Sequence, residues 1–343
     1  MPTIRQIADV AGVSVATVSY VLNDRPDVSD ETRERVMAIV EKLNYVRSRT
    51  RKRSRGRNVP AIRSLAFVSC LPFDPWTDPY FGQFLKGCIE AAHQTESVVQ
   101  VTQIDPEKPG RDRIPLAVRE RITDGLIVTG WPSRQLMAML STQNIPMVLI
   151  DTRDVYEGYS HIRPDHGGGA AKAVRHLHQL GHRRIAVITG DMQFECEAER
   201  LAAYRQTMRE RGLEVHDRWI VRQPLFCERC GYDAMLAMID RGLDVTAAIC
   251  HGDLVARGAL TAARERGVVV PKDLSIIGCD NQPWSDQTIP ALTTIDVFLQ
   301  ELGAVALRHL LQRVNHPTLR PQRIVLESEV VVRKTTAPPG EQA

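Results

Sequence analysis

Aromatic residues are scarce in this chain: 4 Trp, 7 Tyr and 7 Phe, 5% of 343 residues. Long apolar runs are missing as well, and none approaches the roughly 18 residues that a membrane-spanning helix needs. The opening MPTIRQIADVAGV has no basic stretch followed by a long apolar one, so no secretory leader is expected and a cytoplasmic protein is. Cysteine is sparse and odd in number, 7 over the whole length, which suits free thiols in a reducing compartment better than a disulfide framework. No G-x-S-x-G elbow, P-loop or G-x-G-x-x-G turn is present. The sequence therefore assembles no nucleophile, base and oxyanion set, and an enzyme is not expected.

What is present is an ordinary globular balance, 43% hydrophobic and 25% charged, at a length that at roughly 150 residues per domain suggests two or three domains. The net charge of +3 is unevenly placed. Residues 1–60 hold twelve Lys+Arg against seven Asp+Glu, a net of +5, and the remainder carries −2. A basic head on a near-neutral body suggests that the head meets a polyanion.

Three zones follow. Residues 1–46 read as helices, 47–63 as a charged connector, and 64–336 as short apolar strands alternating with amphipathic helices, before an expected disordered tail at 337–343. Strand candidates are 65–70, 98–104, 125–130, 146–151, 184–190, 247–252 and 274–280. Helical spacing marks 80–94, 133–143, 167–180, 195–211, 228–241, 253–266 and 298–313. That alternation implies parallel sheets covered on both faces, and the number of elements suits two doubly wound α/β lobes. Lobe 1 is expected over about 64–162 and 294–325, and lobe 2 over about 163–293 and 326–336. Ligands of such folds sit at the carboxyl ends of the strands, here rich in Gly, Asp and Thr.

The stretch from Ile4 to Asn23, IRQIADVAGVSVATVSYVLN, meets the demands of a helix-turn-helix. Ala8 falls where two helices cross, Gly12 at the turn, and Val18 and Val21 on the inner face of the second helix. Ser14 is placed to cap that helix, and a third helix begins near Ser29. VAGVSVATVSYVLN, then VSDETRERV and KLNY, closely resembles the head of the LacI/GalR family of bacterial transcription regulators. The resemblance implies that Val15, Ala16 and Tyr20 face base edges in the major groove, with Ser14, Thr17, Ser19 and Asn23 at the backbone. Val15 and Ala16 offer only apolar contact, such as to a thymine methyl. Many family members carry Arg where this chain has Tyr20.

The connector departs from that family. Where relatives fold a hinge helix whose Leu wedges into the minor groove, this chain has Ser54, and residues 47–57 carry seven basic side chains, among them Arg49, Arg51, Lys52 and Arg53. A Ser cannot act as a wedge. The arm is expected to grip phosphates or a narrow minor groove by charge and to bend DNA less than its relatives do.

The resemblance continues through HLHQLGHRRIAVITG, VPKDLSIIGCDN and PALTTI, and implies a two-lobed, periplasmic-binding-protein-like sensor. By motif it carries Asp151, Arg200, Asp253 and Asp280 to the ligand, an Arg–carboxylate set suited to vicinal hydroxyls. Phe73, Trp76, Tyr80, Phe81, Trp131, Phe226 and Trp284 are the aromatics available to stack, with Phe81, Phe226 and Trp284 beside the transferred positions. Gly252 replaces the family's ligand-contacting Asn and enlarges the cleft.

Several other signals carry little. Cys227-x-x-Cys230 lacks a second pair at zinc-site spacing. His178 and His182 fall near a helix end, where a surface or capping role is expected. Gly167-Gly168-Gly169 opens a helix without dinucleotide spacing.

The reading is a ligand-responsive DNA-binding regulator, a repressor without cofactor or metal, acting as a homodimer on a pseudo-palindromic operator and answering a sugar or sugar derivative. No heptad Leu tail follows the last strand, which favours a dimer over a tetramer. The alternatives are the same regulator answering a purine or nucleoside, or a largely non-specific architectural DNA binder with a degenerate sensor body.

Overall fold

The computed structural model describes residues 3–22, 28–42, 63–72, 74, 78–104, 114–224 and 226–340. The chain forms two compact units that divide between Ala61 and Ile62.

The first unit holds α1 (Ile4–Ala11), α2 (Val15–Leu22) and α3 (Asp30–Lys42). Thr3 and Gln6 cap α1 reciprocally: the Gln6 amide donates to Thr3 Oγ1, and the Thr3 amide to Gln6 Oε1 at 2.8 Å. Gly12 ends α1 at φ 64°, a left-handed conformation that glycine adopts without strain. Ile7, Ala8, Ala11, Val18, Val21 and Val36 close a small core.

The second unit runs β1 (Arg63–Cys70), α4 (Phe81–Gln94), β2 (Ser97–Gln103), α5 (Leu116–Arg119), β3 (Gly125–Gly130), α6 (Arg134–Ser141), β4 (Met147–Thr152), β5 (Ser160–Pro164), α7 (His166–Gln179), β6 (Ile185–Thr189), α8 (Glu195–Glu210), β7 (Ile220–Arg222), α9 (Glu228–Asp240), β8 (Ala247–Cys250), α10 (Asp253–Glu265), β9 (Ser275–Cys279), β10 (Thr293–Asp296), α11 (Leu299–Asn315), β11 (Arg323–Leu326) and β12 (Glu329–Val331). One sheet has the order β11-β5-β4-β3-β1-β2 and is wholly parallel. The other has the order β12-β10-β9-β8-β6-β7, parallel except where β12 joins β10. β3, β6, β8 and β9 are buried along their whole length, as strands covered on both faces must be.

Four details differ from the sequence expectation. β10 belongs to lobe 2 and not lobe 1, because it pairs with β9 and β12. His182 is buried and not a surface or capping group: its ring bonds Thr246 Oγ1 at 2.9 Å, Ser275 Oγ at 3.1 Å and the Ala337 carbonyl at 2.9 Å. Ala337 is thereby tied to lobe 2, so order extends beyond residue 336. Cys227 and Cys230 are joined as a disulfide at the start of α9, while Cys70, Cys88, Cys196, Cys250 and Cys279 are free.

Glycines let helices approach closely in both lobes. A methyl at Gly231 of α9 would collide with the Val255 carbonyl of α10, and one at Gly258 with the Glu228 carbonyl. Gly87 and Gly303 repeat the arrangement between α4 and α11. Gly168 leaves room for the Asp165 carboxylate, which accepts from its amide at 2.8 Å to cap α7 and which a methyl there would run into. Gly231→Ala is expected to lower the unfolding free energy by about 2 kcal/mol. At Gly167 a new methyl would meet Ala203 Cβ at an ordinary 3.6 Å. Gly167→Ala is therefore expected to be neutral or to stabilise by up to about 1 kcal/mol. Urea denaturation of the two variants checks both.

Candidate functional site

Two sites emerge. In the first unit, Ser14 caps α2 by accepting from the Thr17 amide at 3.0 Å, and the two hydroxyls lie 2.8 Å apart. The helical period then sorts α2 into two faces. Val18 and Val21 are buried, while Val15 and Tyr20 are 45% and 42% exposed and Ala16 is exposed beside them. Ser19 and Thr17 are half-buried at the edges of that outward face. A surface helix that turns large apolar side chains outward, flanked by hydroxyls, can fill a DNA major groove and touch thymine methyls. Asn23, Arg49, Arg51, Lys52 and Arg53 lie outside the described residues.

The second site is a cavity of about 400 Å³ between the two sheets, at the carboxyl ends of their strands. Tyr80, Phe81, Trp131, Phe194 and Phe226 give it an aromatic wall. Its polar floor is built around Arg200, whose side chain is 11% exposed. Arg200 donates to Glu197 one turn earlier in α8 and, at 2.9 Å, to His166 Nδ1 at the start of α7. His166 Nε2 donates to Asp151 Oδ1 at 3.0 Å, and the Tyr80 hydroxyl donates to Asp151 Oδ2 at 2.6 Å. Asp151 lies near the carboxyl end of β4 in lobe 1, whereas His166, Glu197 and Arg200 belong to lobe 2, so this chain of bonds crosses between the lobes.

Burial pushes all these carboxyls toward neutrality, and their neighbours decide the outcome. For Asp151 burial is outweighed by His166, Tyr80 and Arg200, and its pKa falls. For Glu197 burial is outweighed by Arg200, His251 and the Gly190 amide, which hold it far below the usual carboxylate range. Asp280 has the opposite balance: burial and the nearby Asp253 push it well above that range. Burial likewise raises Asp253 to about 7. Asp151 and Asp280 also adopt positive φ, 42° and 103°, which non-glycine residues accept only where surrounding structure enforces it.

Of the residues picked from sequence, Phe81, Asp151, Arg200, Phe226 and Asp280 line the cavity. Asp253 and Trp284 do not. Asp253 is fully buried as the first residue of α10, where it accepts from the Thr294 hydroxyl at 2.5 Å and the Gln282 amide at 2.7 Å. It fixes the loop behind the cleft wall. Trp284 packs under the Arg257 guanidinium at 4.4 Å, away from the lining. Phe73 and Trp76 lie outside the described residues. Sequence reasoning missed Glu197, His166, His251, Phe194 and Gln282. Two signals could have found some of them: Glu197 precedes Arg200 by one helical turn, and His251 is the first residue past β8.

Two family models match the chain: the lacI family of bacterial regulatory proteins over residues 3–48, and a periplasmic binding protein-like domain over 174–336. The HTH-type transcriptional repressor PurR of Klebsiella pneumoniae (strain 342) is 32% identical over 342 residues, 98% of this chain and 97% of that protein. The chain belongs to the LacI family of bacterial regulatory proteins. PurR of Escherichia coli O139:H28 is likewise 32% identical over 344 residues, 98% of this chain and 97% of that one. Among solved structures, a CelR–cellobiose complex superposes with a TM-score of 0.67 at 27% identity, covering 98% of this chain and all of the other. The lac repressor dimer bound to operator and the anti-inducer ONPF gives 0.67 at 27% identity, with 98% and 99% covered. As a member of the LacI family the protein is a DNA-binding transcriptional repressor and not an enzyme. No helix among the described residues is long and apolar enough to cross a membrane.

Glu197→Gln leaves the buried Arg200 without its countercharge and is expected to destabilise by about 3 kcal/mol at pH 7. The sign with pH follows from the depressed pKa. The stability that Glu197 contributes is fully present above its unfolded value of 4.5 and is lost as pH falls through the folded value. Urea midpoints of wild type and variant should therefore converge below about pH 4.5, and a gap that stays constant with pH would contradict this role.

Proposed function

We propose that the α2 face of Val15, Ala16 and Tyr20 reads operator base edges and that the inter-lobe cavity binds the effector, a neutral sugar or sugar derivative. The protein then acts in the cytoplasm as a homodimer on a pseudo-palindromic operator. The outward exposure of Val15 and Tyr20 on a helix whose other face closes the core is the observation that carries the DNA-binding assignment.

The neutrality of the effector is supported by the floor of the cavity. Arg200 is compensated by Glu197, and Asp151 by His166 and Tyr80, so those groups offer little to a bare charge. A sugar presents an apolar face to an aromatic ring and hydroxyls to carboxylates and amides. One observation favours a second reading, a purine or nucleoside: the exposed flat ring of Phe226 also suits a nucleobase, and the full-length relatives named above are PurR proteins.

Selection of bound fragments from random DNA by the full chain at physiological salt should return an inverted repeat. On that sequence Tyr20→Ala is expected to bind at least tenfold more weakly, with its unfolding free energy changed by no more than about 0.5 kcal/mol. Enrichment without a shared sequence would instead favour the architectural reading.

A further inference from the structure

Beside the Arg200 chain, His251 and Glu197 form a second arrangement. Glu197 Oε2 accepts from His251 Nδ1 at 3.1 Å, from the Thr189 hydroxyl at 2.9 Å and from the Gly190 amide at 2.6 Å. The carboxylate side chain is fully buried, and the His251 side chain is 1% exposed. A methyl at Gly190 would stand 2.9 Å from His251 Nδ1 and 3.0 Å from Glu197 Cδ, so the pair is packed tightly against that glycine. The His251 ring also stacks on Phe226, with centroids 4.6 Å apart and planes 22° apart. Phe226 is 39% exposed and lines the cavity together with His251.

A neutral imidazole that donates Nδ1–H to a carboxylate presents Nε2 as a lone-pair acceptor. His251 Nε2 is buried and has no hydrogen-bond partner among the described residues. Gln282 lines the same cavity at 3% exposure, and its side-chain carbonyl is likewise buried without a partner among them. Its backbone is fixed by the bond from its amide to Asp253. Two buried acceptors thus belong to residues that line one cavity.

We infer that His251, oriented by Glu197, and Gln282 are the specificity-determining acceptors of the effector site, and that they take O–H donors from a neutral polyhydroxylated ligand held in the cavity. The inference rests on the carbohydrate reading given above and adds the groups that read the hydroxyls. A ligand lacking those donors leaves both acceptors desolvated and unpaired, and is rejected for that reason. Glu197 is a positioning residue here, since it sets the tautomer and does not itself face the ligand.

The test uses the full chain and two independent readouts. Nitrogen-15 histidine spectra of the wild type, with His251 assigned by its absence in His251→Phe, should show Nδ1 protonated and Nε2 bare. A protonated Nε2 overturns the proposal without any ligand being needed. Thermal shift and calorimetry then use ribose, glucose, galactose and cellobiose, with hypoxanthine and guanosine as comparators. The expected result is binding of a neutral sugar that weakens at least tenfold in both His251→Phe and Gln282→Leu. If one variant fails to fold, the other and the spectra still decide. Sugar binding unchanged in the variants overturns this inference and leaves the carbohydrate reading intact. Stabilisation by the nucleobase compounds alone, or by no member of the panel, overturns the carbohydrate reading and the inference with it.

Discussion

A guanidinium almost removed from water needs its charge and donors met in place, because an unpaired buried charge destabilises by several kcal/mol. Arg200 meets that demand with Glu197 on its own helix and His166 at the start of the neighbouring one. Each of those partners is fixed in turn, Glu197 by Thr189, Gly190 and His251, and His166 by Asp151. Only the last step leaves lobe 2. The cavity floor is therefore one connected network, in which each group holds its protonation state and orientation because the next one does.

The contact at Asp151 gives the arrangement its consequence for function. Moving the lobes apart there would leave Asp151 with the Tyr80 hydroxyl alone and take away the acceptor of the His166 Nε2–H. That is a discrete exchange of bonds and not a gradual loosening, the kind of element on which a ligand with unequal affinity for two arrangements can act. The aromatic wall works differently. Trp131 of lobe 1 and Phe194 of lobe 2 meet with ring centroids 5.6 Å apart, and Phe194 meets Phe226 at 5.7 Å. These contacts close the cleft without fixing hydrogen-bond geometry.

Much of this was legible in the sequence. Alternating apolar runs and amphipathic stretches indicated two parallel-sheet lobes, and the spacing of Ala8, Gly12, Val18 and Val21 indicated the helix-turn-helix. The short strands β7, β11 and β12 were not legible, because half-exposed edge strands of three or four residues lack a continuous apolar run, and the interior strands β5 and β10 were hidden because their buried residues are largely polar, Ser160 and His161 in one and Thr293 and Thr294 in the other. In the cleft, strand-end position found Asp151 and Asp280 but misplaced Asp253. One residue past a strand end can face the cavity, as His251 does, while the third residue past it already starts a helix whose first turn points inward. Pairwise partnership across lobes, as between Asp151 and His166, has no local signature, since the two meet only through sheet topology. Trp284 was placed by proximity in sequence to Asp280, whereas its ring turns away to Arg257.

The measurement that bears most directly on the connected floor is a double-mutant cycle between Asp151→Asn and His166→Gln, followed by urea unfolding of the full chain at pH 7. The account predicts a coupling energy of at least about 1 kcal/mol between these positions, carried across the two lobes. Effects that add to within about 0.3 kcal/mol would contradict it, and would mean that the lobes meet at this point without depending on each other.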